Sequence, residues 1–374
     1  MNPFLNEDEQ LIVESAHEFR IREMEADPNC AEEYSPELVK KAADLGMFLL
    51  KVPAEYGGVD VSEQCYCEIL EELAKTPSEM GGILNHQNGA ARMLAAAGTA
   101  EQKKWLFDRV ITGECIAALG VSESCGCTNY PEWPNMGVTI GDEIVLNGTK
   151  IYQTFGLIAG VSCVSCRIDG NRAMIFVDLD SPGITRGEKV VHLHGDSPDD
   201  MCVIEFNDVH VPKANLVQGK NLTSDLKSAA SYLEMCALAL GNAEGIYEKT
   251  LEYVTNRTRY EKPMASFQRV AHRLVDMKTT IDVAKAWIMD AARRVDEGIG
   301  EPIRFYQGKM WIPETCFNLV NQCIVLHGGL GIDKEMGLGH YQAFAQRTLF
   351  MERPSDIHRD MVASLMGLSV DFVW

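Results

Sequence analysis

Two changes in hydrophobic periodicity restrict what this chain of 374 residues can fold into. From Glu7 to about Gly113, apolar residues recur at the spacing of amphipathic helices. From Ile116 the pattern changes to short β-rich runs between clusters of Gly, Asp, Asn and Pro, and past Asn221 the helical spacing returns. The sequence therefore predicts an α+β multidomain fold, with a helical N-terminal domain at 1–115, an antiparallel β middle domain at 116–221 and a C-terminal helix bundle at 222–374.

The β-rich runs of the middle third follow one another without long helices between them. Because a parallel sheet of βαβ units needs a helix between successive strands, we expect antiparallel pairing and no Rossmann nucleotide site. The later helices are long, which favours an antiparallel bundle. The predicted strands are 116–121, 138–146, 161–168, 173–177 and 201–206, and the predicted C-terminal helices are 226–255, 268–297, 301–326 and one from Tyr341 onward.

The charge of the chain excludes several classes of partner. The formal net charge is −20, and no cluster of Lys and Arg is interleaved with aromatic residues, so a nucleic-acid-binding surface is not expected. No apolar run reaches the ~18 residues that cross a bilayer, and the first residues lack the pattern of a secretory signal. We therefore expect a cytoplasmic protein that does not enter a membrane.

The cysteines are numerous but do not form a metal-binding pattern. There are 12, and the pair Cys163 and Cys166 forms a single C-x-x-C motif with no matching second pair. Alternation around this motif predicts a strand, which would direct the two sulfur atoms to opposite faces. Ordinary buried thiols are therefore favoured over a metal or redox site.

Local strings along the chain resemble those of the acyl-CoA dehydrogenase family, in the same order. In the first third these are PAEYGG at 53–58 and GTAEQK at 98–103, which are structural signals without chemistry. The resemblance covers nearly the whole chain. It implies the order helices, sheet, bundle, and an FAD-dependent transfer of a proton and a hydride between the α and β carbons of an acyl-CoA thioester and the flavin.

In the middle third, LGVSESCGCT at 119–128 resembles the T-E-P-G-A-G-S string with which the family holds its flavin. Ser124, Cys125 and Cys127 replace a proline and two glycines of that string. The next string, LNGTKIYQTFG at 146–156, resembles N-G-x-K-x-W-I-T-N-G, whose aromatic residue packs beside the isoalloxazine; a core tyrosine and a turn threonine are the alternative. The resemblance implies flavin contacts for Leu119, Val121, Ser122, Thr128, Tyr152 and Thr154.

Two later strings resemble segments that reach the FAD of a neighbouring subunit. The first is RTRYEKPMASFQ at 257–268, which implies FAD contacts for Arg257, Phe267 and Gln268. The second is a G-G-x-G turn, which implies contacts for Gly328 and Gly329. Alternatively, Arg257 complements a helix dipole and the glycines form a plain helix C-cap. The resemblance also implies a homotetramer built as a dimer of dimers.

The last string, FMERPSDIHR at 350–359, resembles the catalytic I-Y-E-G-T-S-x-I-x-R. Glu352 falls on the catalytic base and Ser355 on a flavin contact. A carboxylate suits this role because exclusion of water raises its pKa toward that of a weak carbon acid. Some family members place the acid on an earlier helix, at the position of Ser231 here, followed by Tyr232 where an arginine is common. These two residues are predicted to contact the substrate, and Glu234 is a fallback base.

Arg353 occupies a position where the family usually has glycine. If its guanidinium points into the pocket, it could pair with a polar group on the acyl chain, which would imply a short, functionalised substrate. Alternatively, it points to solvent or toward Asp356.

The resemblance leaves the reaction and its partners partly open. Dehydrogenation of an acyl-CoA and reduction of a 2-enoyl-CoA use the same parts, and an electron-transfer flavoprotein is the usual redox partner. A flavin lyase, desulfinase or oxidase on the same fold is one alternative. A non-catalytic CoA- or flavin-binding subunit of a mixed oligomer is another, motivated by the replaced glycines at Cys125 and Cys127.

Overall fold

A computed structural model describes residues 4–126, 133–192, 198–217 and 226–369, with the backbone alone for 226–229. The predicted order of helices, sheet and helices is confirmed. The helices before the sheet are α1 (Glu7–Phe19), α2 (Pro36–Asp44), α3 (Glu63–Ala74), α4 (Met80–Ala97) and α5 (Ala100–Val110).

The string at 98–103 begins α5 through a reciprocal cap. The Thr99 side chain accepts a hydrogen bond from the Gln102 backbone N–H, and the Gln102 side chain accepts one from the Thr99 backbone N–H. The Gln102 amide also donates to the carbonyls of Ala214 and Leu216 at 2.6 and 2.9 Å. This motif therefore joins the first helices to the end of the sheet.

The middle region forms one sheet, whose described strands are β1 (Ile116–Gly120), β2 (Asn135–Ile140), β3 (Glu143–Gln153), β4 (Ala159–Ile168), β5 (Asn171–Asp178), β6 (Ile184–Arg186), β7 (Cys202–Pro212) and β8 (Leu216–Val217). Their order is β6-β7-β3-β2-β4-β5-β8, with β1 paired to β4. Most pairings are antiparallel, as predicted, but β1 and β2 both run parallel to β4. These parallel pairs need no helix, because other strands connect them: β2 and β3 lie between β1 and β4 in the chain, and β3 lies between β2 and β4.

The prediction of a single strand at 138–146 was wrong. The chain reverses at Gly141, whose φ of 62° is left-handed, so the run contains the end of β2 and the start of β3. Apolar residues stand on both sides of Gly141 and Asp142, and this Gly-Asp pair is the local signal that distinguishes a hairpin from one long strand.

The C-x-x-C motif lies on β4, as predicted. Cys163 packs in a cluster with residues of α4 and α5, whereas Cys166 packs in the main hydrophobic core. The two thiols therefore lie on opposite faces of the sheet. Within the described residues, no group of three His, Cys, Asp or Glu side chains is placed to hold a metal ion.

The later helices are α6 (Leu226–Asn256), α7 (Gln268–Asp296), α8 (Pro302–Leu326), α9 (Leu338–Thr348) and α10 (Ser355–Leu365). A two-stranded ribbon, β9 (Thr258–Arg259) with β10 (Lys262–Pro263), follows α6. Helix α6 lies at the centre of the bundle and packs against α3, α7, α8 and α9. A Cβ atom at Gly241 would lie 1.9 Å from the Glu71 carbonyl oxygen, so glycine permits the close packing of α6 on α3. In the described ranges, no helix combines the length and apolarity that a membrane span requires.

Candidate active site

Glu352 lies on an unusual turn between α9 and α10. Its φ is 53° and that of Arg353 is 79°, so two successive non-glycine residues are left-handed. In the acyl-CoA dehydrogenase string that this segment resembles, glycine is usual at the position of Arg353. Glycine adopts a left-handed φ without strain, which accounts for the φ of 79° at this position. The turn is therefore built for a glycine but carries an arginine.

Two buried side chains bind the carbonyl oxygens of this turn. His358 Nε2 lies 3.0 Å from the Glu352 carbonyl oxygen. Lys309 Nζ donates to the Thr348 carbonyl at 2.9 Å and to the Arg353 carbonyl at 3.4 Å. Both side chains are completely buried. Neither was predicted from the sequence, although Lys309 stands among the buried apolar residues of α8, where a lysine is rare.

The surroundings of the Glu352 carboxyl act on its pKa in both directions. Burial raises the pKa, and the charges of Lys309, Arg353 and Arg92 together with a hydrogen bond from Ser231 oppose this rise. Ser231, predicted from the position count, therefore lies against Glu352, predicted from the string at 350–359, so the structure brings these two residues together. In the part of the chain that the structure describes, Glu352 forms no salt bridge.

Tyr232 forms an aromatic wall beside the turn. Its ring contacts His358 edge-on at 4.9 Å and Tyr306 at 5.6 Å, while Tyr306 stacks on His358 at 5.8 Å. Burial raises the pKa of Tyr232 to about 12, so the phenol remains neutral. The position that often carries arginine in the family thus presents an apolar ring with a hydroxyl group.

Arg353 does not pair with Asp356. Asp356 instead accepts a hydrogen bond from Arg359, which also forms an ion pair with Glu314. The Arg353 guanidinium contacts the Met361 sulfur at 3.9 Å, and the residue is half-buried. Its charge acts on both Glu352 and Tyr232. The proposed pairing with Asp356 was therefore wrong, and the guanidinium lies near the candidate base.

Glu234, the fallback base, belongs to a buried ionic network. It forms an ion pair with Arg92, which lies 3.5 Å from Glu63, and Glu63 lies 3.0 Å from Lys51. Burial raises the pKa of Glu234 to about 7, although the charge of Arg92 opposes the rise. This carboxyl group is engaged by a guanidinium and is only 1% exposed.

Helix α4 presents further polar groups near Arg92. Among the described residues, Asn85 Oδ1 and His86 Nδ1 are buried without a hydrogen-bond partner. Gly89, one turn from both Asn85 and Arg92, faces open space. Burial lowers the pKa of His86 to about 4, so its ring is neutral. A buried amide oxygen and a buried imidazole nitrogen without partners are groups that a polar ligand could satisfy.

The two flavin strings of the middle region lie side by side. The Ile151 N–H donates to the Ser122 carbonyl at 2.9 Å, and Lys150 forms an ion pair with Glu123 at 2.6 Å. Tyr152 is 61% exposed, so its interpretation as a core tyrosine was wrong. Leu119, Val121, Ser122 and Thr154 are half-buried, while Cys127 and Thr128 lie outside the described residues.

The replaced glycine at Cys125 causes no backbone strain. Cys125 is exposed, and its φ is not left-handed, so a side chain is tolerated at this position. An exposed aromatic ring at Tyr152 beside the Ser122 string is compatible with a stacked flavin ring. The described part of the string therefore fits the group that the resemblance implies.

Of the segments assigned to a neighbour's cofactor, the first reaches a cavity of about 470 Å³ through Arg257, and the residue before the G-G-x-G turn lies at the same cavity. Arg257 and His327 line it, and His327 stacks on Tyr253 at 4.3 Å. Gly328 follows with a left-handed φ of 63°, and neither Gly328 nor Gly329 has a neighbour where a Cβ atom would stand. Within the described residues, Arg257 Nε is buried and unpaired. A cation with an unused donor beside a cavity fits an anionic group such as a pyrophosphate.

The remaining predicted flavin residues lie at helix starts. Phe267 precedes α7 and contacts Tyr260 edge-on at 6.3 Å, and Gln268, the first residue of α7, is exposed. Ser355 is buried at the first position of α10. Gln268 therefore faces solvent and Phe267 is half-buried, whereas Ser355 lies inside the chain.

Comparisons with known proteins agree with this geometry. Family profiles match residues 6–114 as the acyl-CoA dehydrogenase N-terminal domain and residues 231–367 as the C-terminal domain. A 3-(aryl)acrylate reductase of Clostridium sporogenes is 25% identical over 96% of this chain and 99% of its own length. The caffeyl-CoA reductase–Etf complex subunit CarC of Acetobacterium woodii is 26% identical over 89% of this chain and 91% of its own length.

The fold agrees as well. The crystal structure of an acyl-CoA dehydrogenase from Geobacillus kaustophilus superposes with a TM-score of 0.90 at 25% identity, covering 98% of this chain and 100% of the other. Both family profiles, the full-length relatives and the complete superposition point to one family. The chain therefore belongs to the acyl-CoA dehydrogenase family of flavin-dependent oxidoreductases.

Proposed function

We propose that this protein binds FAD and catalyses the α,β-dehydrogenation of an acyl-CoA thioester, or the reverse reduction of a 2-enoyl-CoA, with Glu352 as the base. The observation that carries the proposal is the state of the Glu352 carboxyl, which burial makes more basic. The Ser231 hydroxyl and three cations surround this carboxyl group. In the described part of the chain, the carboxyl group forms no salt bridge. A carboxylate in this state can accept a proton from a weak carbon acid.

The chain's own residues have separate tasks in this reaction. Glu352 takes the proton from the α carbon, and Ser231 stabilises the ionised carboxylate until it does so. The Glu352 backbone N–H donates to the thioester carbonyl and stabilises the developing enolate. When bound, FAD would supply the acceptor for the hydride of the β carbon. Tyr152 and Thr154 would hold its ring system, and Leu119, Val121, Ser122, Thr128 and Ser355 the remainder.

The direction and the redox partner are proposed from the relatives. The Clostridium sporogenes relative is a reductase by name, and the Acetobacterium woodii relative is a subunit of a complex with Etf. We therefore favour an electron-transfer flavoprotein as partner of this cytoplasmic enzyme. Assays in both directions, with this partner or with an artificial dye, decide which direction is faster.

We further propose that the acyl group carries a polar substituent. Arg353 lies beside the base without a salt bridge among the described residues, where Asn85 Oδ1 and His86 Nδ1 are also buried without a hydrogen-bond partner. An unsubstituted fatty acyl chain would leave these groups buried and unpaired, which costs free energy. Substrates that offer hydrogen-bond donors to α4, or an acceptor to Arg353, are expected to react faster than straight-chain analogues.

The flavin site is proposed to be completed by a second subunit. Arg257, Phe267, Gln268, Gly328 and Gly329 would contact the FAD of the neighbour, in a homotetramer formed as a dimer of dimers. Light scattering combined with flavin absorbance tests this. A monomer with one FAD per chain would contradict it.

Colour separates the proposal from its alternatives. Purified protein should be yellow and should bleach under anaerobic conditions when its acyl-CoA is added. A colourless protein that FAD cannot reconstitute would favour a non-catalytic subunit of a mixed oligomer. Rapid consumption of oxygen without an electron acceptor would favour an oxidase, and release of a substituent without net oxidation a lyase or desulfinase.

A further inference from the structure

The turn that carries the candidate base is held from two sides by groups that no flavin or thioester contact requires. Glu352 and Arg353 are both left-handed, a conformation that L residues adopt only when surrounding contacts fix it. The carbonyl oxygens of both residues are bound by buried side chains, one from α8 and one from α10. The backbone strain and the two hydrogen bonds that hold the strained conformation therefore occur at the same two residues.

Lys309 is the more unusual of the two side chains. Its ammonium group is completely buried and donates to the carbonyls of Thr348, at the end of α9, and of Arg353. In the described residues it has no carboxylate within ion-pair distance. A buried charge without such a partner is costly and is rarely kept for packing alone. Through these two hydrogen bonds, the Lys309 ammonium group connects the last turn of α9 with the strained Glu352–Arg353 turn.

His358 fixes the other carbonyl. Because a carbonyl oxygen only accepts, Nε2 must carry the proton that it donates to Glu352. Burial and the Lys309 charge lower the pKa of His358 to about 4, so the ring is neutral, and its Nδ1 is buried without a partner among the described residues. The rings of Tyr232 and Tyr306 hold the imidazole in this orientation.

We infer that Lys309 and His358 are positioning residues, which hold the Glu352–Arg353 turn left-handed and thereby aim the Glu352 carboxylate at the substrate. Lys309 adds a second effect: burial lowers its pKa, the charge of Glu352 opposes this, and the ammonium that remains protonated favours the ionised carboxylate. The inference rests on the proposed role of Glu352 as the base. It explains how this chain keeps a functional turn although the glycine expected at position 353 is missing.

The charge effect predicts a shift in pH dependence. The groups that act on Glu352 are Lys309 from α8, Arg92 from α4, Ser231 from α6 and Arg353 from the turn itself, while Tyr232 and His358 are neutral. Burial raises the pKa of Glu352 and the cations lower it. Removing one cation therefore raises the pKa of Glu352 further. The acid limb, by which we mean the acidic side of the pH–rate profile of dehydrogenation, then moves to higher pH.

The test compares Lys309→Met with Lys309→Arg in the flavin-loaded oligomer. Flavin reduction by the best acyl-CoA is measured against pH. In Lys309→Met the acid limb should move up by roughly one pH unit and the maximal rate should fall, while KM for the thioester stays unchanged. Lys309→Arg keeps the charge and should keep the limb near that of the wild type. If Lys309→Met does not fold, Lys309→Gln, which keeps donors without charge, should show the same shift.

Lys75→Met is the matched control. Lys75 is also largely buried, with its side chain 16% exposed and paired to Glu72 and Glu244, but it lies at the end of α3 and makes no contact with the turn. Its loss should lower stability without moving the acid limb. A limb that moves equally in both variants would show a general electrostatic change and would overturn the inference.

The geometric part has its own test. His358→Phe keeps an aromatic ring but cannot donate to the Glu352 carbonyl, so the maximal rate should fall at least about tenfold without change in flavin content. In an Arg353→Gly background the same change should cost less, because glycine adopts the left-handed conformation unaided. Equal losses in both backgrounds would contradict the inference.

The outcome also separates this inference from the proposed function. If Glu352→Gln retains wild-type activity, the base is elsewhere and the proposed function fails. If Glu352→Gln is inactive and both Lys309→Met and His358→Phe behave as the wild type, the function stands and the positioning role alone is wrong.

Discussion

Glu234 and Glu352 are two glutamates near one site, and burial raises the pKa of both. Glu234 stands inside the regular helix α6, is 1% exposed and forms an ion pair with Arg92. Glu352 stands on a strained turn, is half-buried and has a hydroxyl group and more distant cations around it. A raised pKa is therefore a poor guide to function without the contacts that accompany it.

The two carboxylates differ in whether a cation loses its ion-pair partner when the carboxylate takes a proton. Protonation of Glu234 would leave Arg92 with Glu63 at 3.5 Å as its remaining counter-ion. Protonation of Glu352 breaks no salt bridge among the described residues. The first carboxylate is bound in an ion-pair network whose disruption is costly, and the second is available for the proton transfer that the proposed function requires.

The largest expected effect is on catalysis by Glu352→Gln. The amide cannot accept the α proton, so kcat should fall by about 10³-fold or more while the flavin content stays unchanged. Glu234→Gln should reduce kcat far less. Steady-state assays on the two variants check this, and the reverse ranking would assign the base to Glu234.

The next effect concerns stability at the paired glutamate. Arg92→Met leaves Glu63 and Glu234 buried with less positive charge and should lower the free energy of unfolding by about 3–5 kcal/mol. Arg22→Met is the control, since Arg22 and its partner Glu18 are 70% and 52% exposed and contribute little. Denaturant unfolding measures both. Equal stability of the two variants would remove the structural role assigned to the Arg92 network.

Much of this comparison was not accessible from the sequence. The order of helices and sheet followed from periodicity, and Glu352 and Ser231 from the strings and the position count. The contacts of Lys309, His358 and Arg92 join residues far apart in the chain, and no local pattern connects them. The hairpin at Gly141 has a local signal in its Gly-Asp pair, which the prediction of one strand did not use. The domain boundaries at 115/116 and 221/222 stay predictions.

A smaller effect is expected from the hydroxyl beside the base. Ser231→Ala removes a hydrogen bond that favours the carboxylate, so the pKa of Glu352 rises. Activity in the dehydrogenation direction needs the ionised form, and its acid limb should move up by roughly one pH unit. Thr255→Ala is the reference substitution, because Thr255 lies on the same helix, is exposed and, among the described residues, bonds only to the Leu251 carbonyl one turn earlier. A limb that stays in place in Ser231→Ala would mean that the hydroxyl does not contact the carboxylate in the working enzyme.

The smallest effect concerns the strain of the turn. Arg353→Gly should raise the free energy of unfolding by about 1 kcal/mol, because glycine is not strained at a φ of 79°. It should also lower the preference for acyl groups with polar substituents over straight-chain ones. Thermal unfolding and a panel of acyl-CoA thioesters measure the two effects. An unchanged substrate ranking would leave Arg353 without a role in recognition.

The most direct test of the central claim is anaerobic flavin bleaching in three proteins side by side. The wild type and Glu234→Gln should be yellow and should bleach on addition of a reactive acyl-CoA, while Glu352→Gln should be equally yellow and should not bleach on the same timescale. Bleaching of Glu352→Gln at the wild-type rate would contradict the account, because the proton would then be taken by another group.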